Sequence, residues 1–174
     1  MIAPRPPADL EHRFEADSVG RALGLIGDHW TLMILREALF GVRRYGQLAR
    51  NLGIPRPTLS ARLRSMVDSG LFERVLYAKD PDRFEYRLTE AGRDLFPAAV
   101  LLMRWGDKHL AGPEGPPLVL RHHECGEIAD AELTCARCGK QISSDNVTPE
   151  PGPGARETTT DAGRHSSRPD RMGA

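Results

Sequence analysis

The chain has 174 residues, 24 basic against 24 acidic side chains and a sequence pI near 7.0. That length suits one domain with an appendage, and the balanced charge does not by itself announce a nucleic-acid partner. No apolar run approaches the ~20 residues of a membrane span, and the start M-I-A-P-R-P-P lacks an apolar signal core, so a cytoplasmic protein is expected.

Residues 1–16 carry Pro4, Pro6 and Pro7 among mixed charges and read as a flexible arm. Asp17 or Ser18 can cap a first helix to about Ile26. Val19, Ala22, Leu23 and Ile26 recur on helical spacing, which predicts one buried face. Asp28 stands at the next N-cap, before His29-Trp30-Thr31. The helix behind it is apolar on both sides and is expected to form the core; Trp30 is read there as packing or as the wall of a ligand pocket. Phe40-Gly41 ends it.

Arg43 and Arg44 come next, on an expected short edge strand, as phosphate clamps or solvated charges. A short helix with Leu48, Ala49 and Leu52 inside then breaks at Gly53-Ile54-Pro55. The following helix repeats Leu59, Leu63, Met66 and Val67 on one stripe. Pro57 suits its first position. Its other faces carry Arg56, Thr58, Ser60, Arg62 and Arg64. Two helices joined this way are a helix-turn-helix, or else an ordinary helical hairpin. The strands that follow, Leu71 to Tyr77 and Phe84 to Leu88, favour the first reading, because a helix-turn-helix with a hairpin behind it is a winged helix. Asp80, Pro81 and Asp82 form the hairpin turn, flanked by Lys79 and Arg83. Between Gly41 and Arg93 eleven basic residues face six acidic ones, and none of the acids precedes Asp68. A local basic surplus of this kind is the footprint of phosphate binding. The candidate DNA contacts are therefore Arg43, Arg44, Arg56, Thr58, Ser60, Arg62, Arg64, Lys79 and Arg83.

Thr89 caps what reads as one long helix to about Leu110, with Pro97 inside as a possible kink. Its stripe of Leu95, Ala98, Ala99, Leu102, Trp105 and Leu110 is broad for a small domain. Pairing with the same helix of a second chain is expected, with packing back on its own domain as the alternative.

Residues 112–117 form a linker. Beyond it stand His122-His123-Glu124-Cys125-Gly126 and Cys135-Ala136-Arg137-Cys138-Gly139. The second is a C-x-x-C-G knuckle and the first its counterpart led by histidine. His122, Cys125, Cys135 and Cys138 can close a tetrahedral Zn²⁺ site of structural type, with a hairpin between the knuckles. His123 is the other candidate imidazole, and free reduced thiols or a Cys135–Cys138 disulfide are the alternatives. A closed Cys₃His site leaves no position for catalytic water, and no nucleophile stands beside a general base, so no enzyme is expected. Residues 118–146 thus read as a small zinc-ribbon-like extension and residues 147–174 as a disordered tail.

Trp30-Thr31 with Leu32 to Arg36, Gly41-Val42-Arg43-Arg44-Tyr45, Leu59 to Leu63, Ser69-Gly70-Leu71, Phe84 to Gly92 and Trp105-Gly106 resemble the HxlR-type transcription regulators. The resemblance runs in unbroken order from about Val19 to Leu110, and extended members also resemble the tail. It implies a homodimeric winged-helix regulator, α+β and mainly helical, that spans residues 17–111. Its partner would be double-stranded DNA carrying an inverted repeat; a small-molecule effector is possible. The resemblance also places the first helix in the dimer interface. Many relatives carry a cysteine near its start. Ser18 stands there in this chain, which removes thiol sensing at that position and leaves the C-terminal cysteines as the other route to a metal or redox sensor.

Overall fold

The computed structural model describes residues 17–150 and Pro153. The expected arm over residues 1–16, and most of the expected tail over residues 147–174, lie outside the described residues. By contacts the chain divides into two units, one ending at Ala131 and one beginning at Glu132. Each is described by itself.

In the first unit the order is α1 (Ser18–Ile26), α2 (His29–Leu39), α3 (Tyr45–Leu52), α4 (Arg56–Asp68), β1 (Phe72–Ala78), β2 (Arg83–Leu88), α5 (Glu90–Arg93) and α6 (Phe96–Leu110). The caps fall where the acids and hydroxyls predict. Asp17 accepts from the Val19 N–H at 2.8 Å, and Asp28 from Trp30 and Thr31 at 3.1 and 3.2 Å. Both satisfy donors that a helix start leaves without partners. Gly53, with φ +60°, closes α3 in the left-handed region, where a side chain would be strained.

The core lies where α2, α3, α4 and β1 meet. Ile34, Leu48, Leu59, Leu63, Met66 and Phe72 are almost wholly buried there. Removing each such side chain from water contributes roughly 1.5–3 kcal/mol. The Leu59-Leu63-Met66 spacing therefore decides which face of α4 points inward and which stays free.

β1 and β2 form an antiparallel hairpin in the register Phe72↔Leu88, Arg74↔Tyr86 and Leu76↔Phe84, with a bulge between Leu76 and Ala78. The expected edge strand is one bridge, Arg44↔Glu85, where the Tyr86 N–H donates to the Arg43 carbonyl at 2.8 Å. Thr89 accepts from the Gly92 N–H, and its hydroxyl donates to the Gly70 carbonyl at 2.6 Å. A Cβ on Gly92 would collide with the Leu71 carbonyl, so the helix can approach the hairpin only with glycine there.

Four expectations need correction. Arg56, not Pro57, takes the first position of α4; Pro57 comes second, where its missing N–H still has no intrahelical role. The helix expected from Thr89 to Leu110 is two helices. Pro97 cannot donate and its ring clashes with the carbonyl four residues back, so α5 stops at Arg93 and α6 restarts at Phe96. The stripe of α1 is not buried in the single chain. Val19 and Leu23 are 63% and 55% exposed, and Ile26 alone packs on the core. In residues 118–146 no hairpin joins the two knuckles. Each closes its own instead, through the bridges Arg121↔Ile128 and Thr134↔Gln141.

Candidate nucleic-acid interface

With Leu59, Leu63 and Met66 inside, the 3.6-residue repeat turns Ala61, Arg64 and Ser65 outward, and all three are exposed. Arg56 is exposed at the start of the helix, and Thr58 is half-buried. Arg56 and Arg50 of α3 both line a cleft of about 570 Å³ at the turn of the helix-turn-helix, with Tyr45 and Gly46. At the hairpin end Lys79 and Arg83 are exposed on either side of the turn, where Asp80 has φ +56°. Among the described residues Arg43, Arg50, Arg56, Arg64, Lys79 and Arg83 enter no ion pair. Their charge is not cancelled within the fold, and it suits the phosphate contacts that position a protein on a duplex.

Other expected contacts are used within the molecule. Arg62 Nε lies 3.3 Å from an Asp28 carboxylate oxygen. It ties α4 to the cap of α2 and so helps to set the helix angle. Burial pushes the Asp28 carboxyl up, but the Thr31 hydroxyl and N–H, Arg62 and the Trp30 N–H outweigh it, so the carboxyl is held below its ordinary range. Ser60 also turns inward. Tyr45 Oη donates to the Arg56 carbonyl at 2.9 Å and lies 3.1 Å from Ser60 Oγ, which is left to donate to it. This pair pins the first helix of the motif to the second. The Arg44 guanidinium sits over the Tyr77 ring at 4.7 Å, and Arg43 lines a separate depression with Glu73, Arg87 and Arg93. A cation over an aromatic face keeps its charge while its position is fixed.

Sequence reasoning did not include Arg50, Ala61 or Ser65. The signal for Ala61 and Ser65 was the side of the α4 repeat opposite its leucines, which carries little charge to mark it. An alanine or serine on such a face can touch a thymine methyl or a base edge. Arg50 came into view because the turn sets it in the wall of the same cleft as Arg56.

The knuckles repeat one local design. In the first, the Gly126 N–H donates to the His122 carbonyl at 2.8 Å, Gly126 has φ +74°, and Cys125 Sγ lies 3.4 Å from His122 Nδ1. In the second, the Gly139 N–H donates to the Cys135 carbonyl at 2.7 Å and Gly139 has φ +69°. The N–H groups of Arg137 and Cys138, with the Cys138 thiol, hold the Cys135 thiol below its ordinary range. N–H groups directed at a sulfur favour its thiolate form, which is the form that binds a metal. Each knuckle therefore brings two candidate ligands together. Among the described residues no group of three or more His, Cys, Asp or Glu forms a metal-holding cluster. No described helix is long and apolar enough to cross a membrane.

Comparison with known proteins agrees with this geometry. The family model for HxlR-like helix-turn-helix proteins matches residues 25–113. An uncharacterized HTH-type transcriptional regulator of Mycobacterium tuberculosis (strain ATCC 25618 / H37Rv) is 70% identical over 147 residues, which is 84% of this chain and 93% of that protein. A stretch of that length cannot avoid residues 118–146, so the match is not confined to the winged helix. The crystal structure of the transcription-factor candidate PA1607 superposes with a TM-score of 0.71 at 30% identity, over 80% of this chain and 98% of that one. The redox regulator HypR in its oxidized form gives 0.51 at 28% identity, over 55% of this chain and all of that one. The paired helices, the wing and these matches make the chain a member of the HxlR-like helix-turn-helix family, a transcriptional regulator of HTH type.

Proposed function

We propose that the protein acts in the cytoplasm as a homodimer that binds an inverted-repeat operator in double-stranded DNA and represses or activates from it. The observation that carries the DNA reading is the set of cations that enter no ion pair among the described residues: Arg50, Arg56 and Arg64 on the helix-turn-helix, and Lys79 and Arg83 at the wing tip. α4 enters the major groove, where Arg56 and Arg64 reach phosphates or guanine edges while Ala61 and Ser65 face the bases. The wing touches the flanking backbone. Dimerisation is supported by apolar side chains left in water on α1 and α6; Val19, Leu23, Leu102, Trp105 and Leu110 are all more than half exposed. Two-fold pairing would cover them and match a palindromic site. A gel-shift titration tests this. Arg64→Ala should weaken operator binding about tenfold or more with unfolding unchanged, and should lower the slope of log affinity against log salt by about 1. Unchanged affinity and slope would remove α4 from the DNA.

The two knuckles hold one structural Zn²⁺ through His122, Cys125, Cys135 and Cys138. The donor set supports this: three thiols and an imidazole on two turns of one design, with no catalytic position left open. Nothing from 111 to 150 is fully buried, so a metal would provide the constraint that a core provides elsewhere. A second reading, in which the cluster senses metal or oxidant, is favoured by the exposure of Cys125 and Cys138. Oxidant added to the protein–DNA complex separates the two, because a structural site leaves affinity unchanged.

A further inference from the structure

α2 and α6 enclose a cleft of about 300 Å³ in the first unit. Its walls are mostly apolar, with Leu32, Met33 and Phe40 on one side and Val100, Leu102 and Met103 on the other. Two charged residues line it, Arg36 on α2 and Asp107 on α6. Arg36 Nη2 donates to Glu37 Oε1 at 2.7 Å, but its Nε is buried and has no partner among the described residues. A buried donor without an acceptor is costly and rare enough to need a cause. Among the described residues Glu37 is the carboxylate paired with Arg36, and Asp107, across the cleft, makes no ion pair with it.

We propose that this cleft is the effector site and that it takes a small amphipathic carboxylate, its apolar body between α2 and α6 and its carboxylate on the Arg36 guanidinium. The volume suits a ligand of one or two rings, at the lower end of ordinary small-molecule sites. A carboxylate suits the planar guanidinium of arginine, and the Arg36 side chain lines the cleft and is 42% exposed, so part of its charge is open to such a ligand. Asp107 repels a second anion and accepts from a hydroxyl or amine, so the preferred ligand carries one acid group and, at most, a donor elsewhere.

The same arginine is joined to the DNA-binding motif. Glu37 takes Arg36 on one oxygen and the Asn51 amide of α3 on the other, at 2.6 Å, and its side chain is only 12% exposed. A ligand that draws Arg36 away from Glu37 changes the charge balance at the carboxylate that holds the end of α3. The site therefore bears on the angle between the two helices of the motif. The regulatory part of this proposal rests on the reading of the chain as a DNA-binding regulator; the binding part does not, and the test keeps them apart.

Naphthoate is a suitable probe, with naphthamide as its uncharged counterpart. Calorimetry on the full-length protein without DNA should detect naphthoate binding. Naphthamide and the Arg36→Met variant should each weaken it about tenfold or more, the scale of a lost charge-assisted pair. Met103→Trp, which fills the cleft, should abolish it. In a separate gel shift, saturating naphthoate should change operator affinity in the wild type and leave it unchanged in Arg36→Met. No binding at millimolar naphthoate, or equal binding of naphthamide, would overturn the proposal. Arg36→Met binding naphthoate as well as wild type would do the same, and does not depend on whether Met103→Trp folds. If Met103→Trp instead splits a dimer and leaves naphthoate binding intact, the cleft is a seat for a second copy and the proposal fails. Binding without any effect on DNA would overturn the regulatory role and leave the DNA-binding reading untouched.

Discussion

The winged helix and the two knuckles are built on opposite principles. From α2 to β1, large apolar side chains are withdrawn from water, and the hydrogen-bonded frame follows from that burial. From 111 to 150 no residue is fully buried, and Leu118, Ile128 and Leu133 are about half exposed. What orders the knuckles is a pattern of backbone bonds, repeated around a left-handed glycine in each. The difference teaches that one chain can hold a part that folds by excluding water and a part that has too little apolar surface to do so.

The strongest way to break the comparison is to attack the core. Phe72, 2% exposed at the start of β1, is the largest fully buried side chain among the described residues. Phe72→Ala should cost about 3–5 kcal/mol, enough to unfold a marginal domain, and should show as a large fall in the urea midpoint. A change below about 1 kcal/mol would mean that the core is not the main support.

Metal removal tests the other half. Purified protein should contain one Zn²⁺ per chain by elemental analysis. Cys138→Ser or a strong chelator should speed hydrogen exchange across residues 118–146 while the urea midpoint of α2 to β2 holds. Less than half a zinc after metal-replete expression, with His122→Ala no different from wild type, would refute the site. His123→Ala, by contrast, should leave the metal content unchanged.

A finer contrast lies between the recognition helix and the wing. Lys79→Ala with Arg83→Ala should weaken DNA binding severalfold and by the same factor on different sequences, because phosphate contacts carry no sequence information. A loss confined to one operator, read by gel shift, would make the wing a reader of bases.

The smallest expected effect concerns Asp28. Its carboxyl titrates below its ordinary value of 3.8 in the folded chain, so its contribution is complete above that value and fades as pH falls through the lowered one. Asp28→Ala should cost about 1 kcal/mol at neutral pH, as lost N-caps do. Asp28→Asn keeps the cap and should flatten the acid side of the stability curve, which urea midpoints at neutral and acid pH will measure.

Much of this was legible in the residues. Leu59, Leu63 and Met66 state a period, and a period fixes a face. Gly53, Asp28 and Thr89 state boundaries, because few residues do what they do at a helix end. The outlying parts were less legible for physical reasons. The stripe of α1 states that a face is apolar but not what covers it. Pro97 announces a disturbance, and whether a helix bends or breaks there depends on the packing on either side. The ion pair of Arg62 with Asp28 and the inward turn of Ser60 toward Tyr45 join residues far apart in sequence, and no local pattern reports such meetings. A basic face read from composition therefore could not show that Arg62 and Ser60 have partners within the fold, or that Arg50 lines the same cleft as Arg56.

The bridge between Arg44 and Glu85, with the Tyr86 N–H on the Arg43 carbonyl, has a consequence for the thermodynamics of recognition. Two neighbouring arginines have their main chain fixed before any DNA arrives, and Arg44 is further held over Tyr77. Were the proposed DNA contact to reach them, it would need to order only side-chain rotamers, about 0.5–1.5 kcal/mol for each one immobilised. An arginine on a free loop would also lose roughly 1–2 kcal/mol of backbone entropy. One strand pairing, too short to count as a strand, thus makes this corner of the molecule stiff in advance and spares it an entropic penalty on contact.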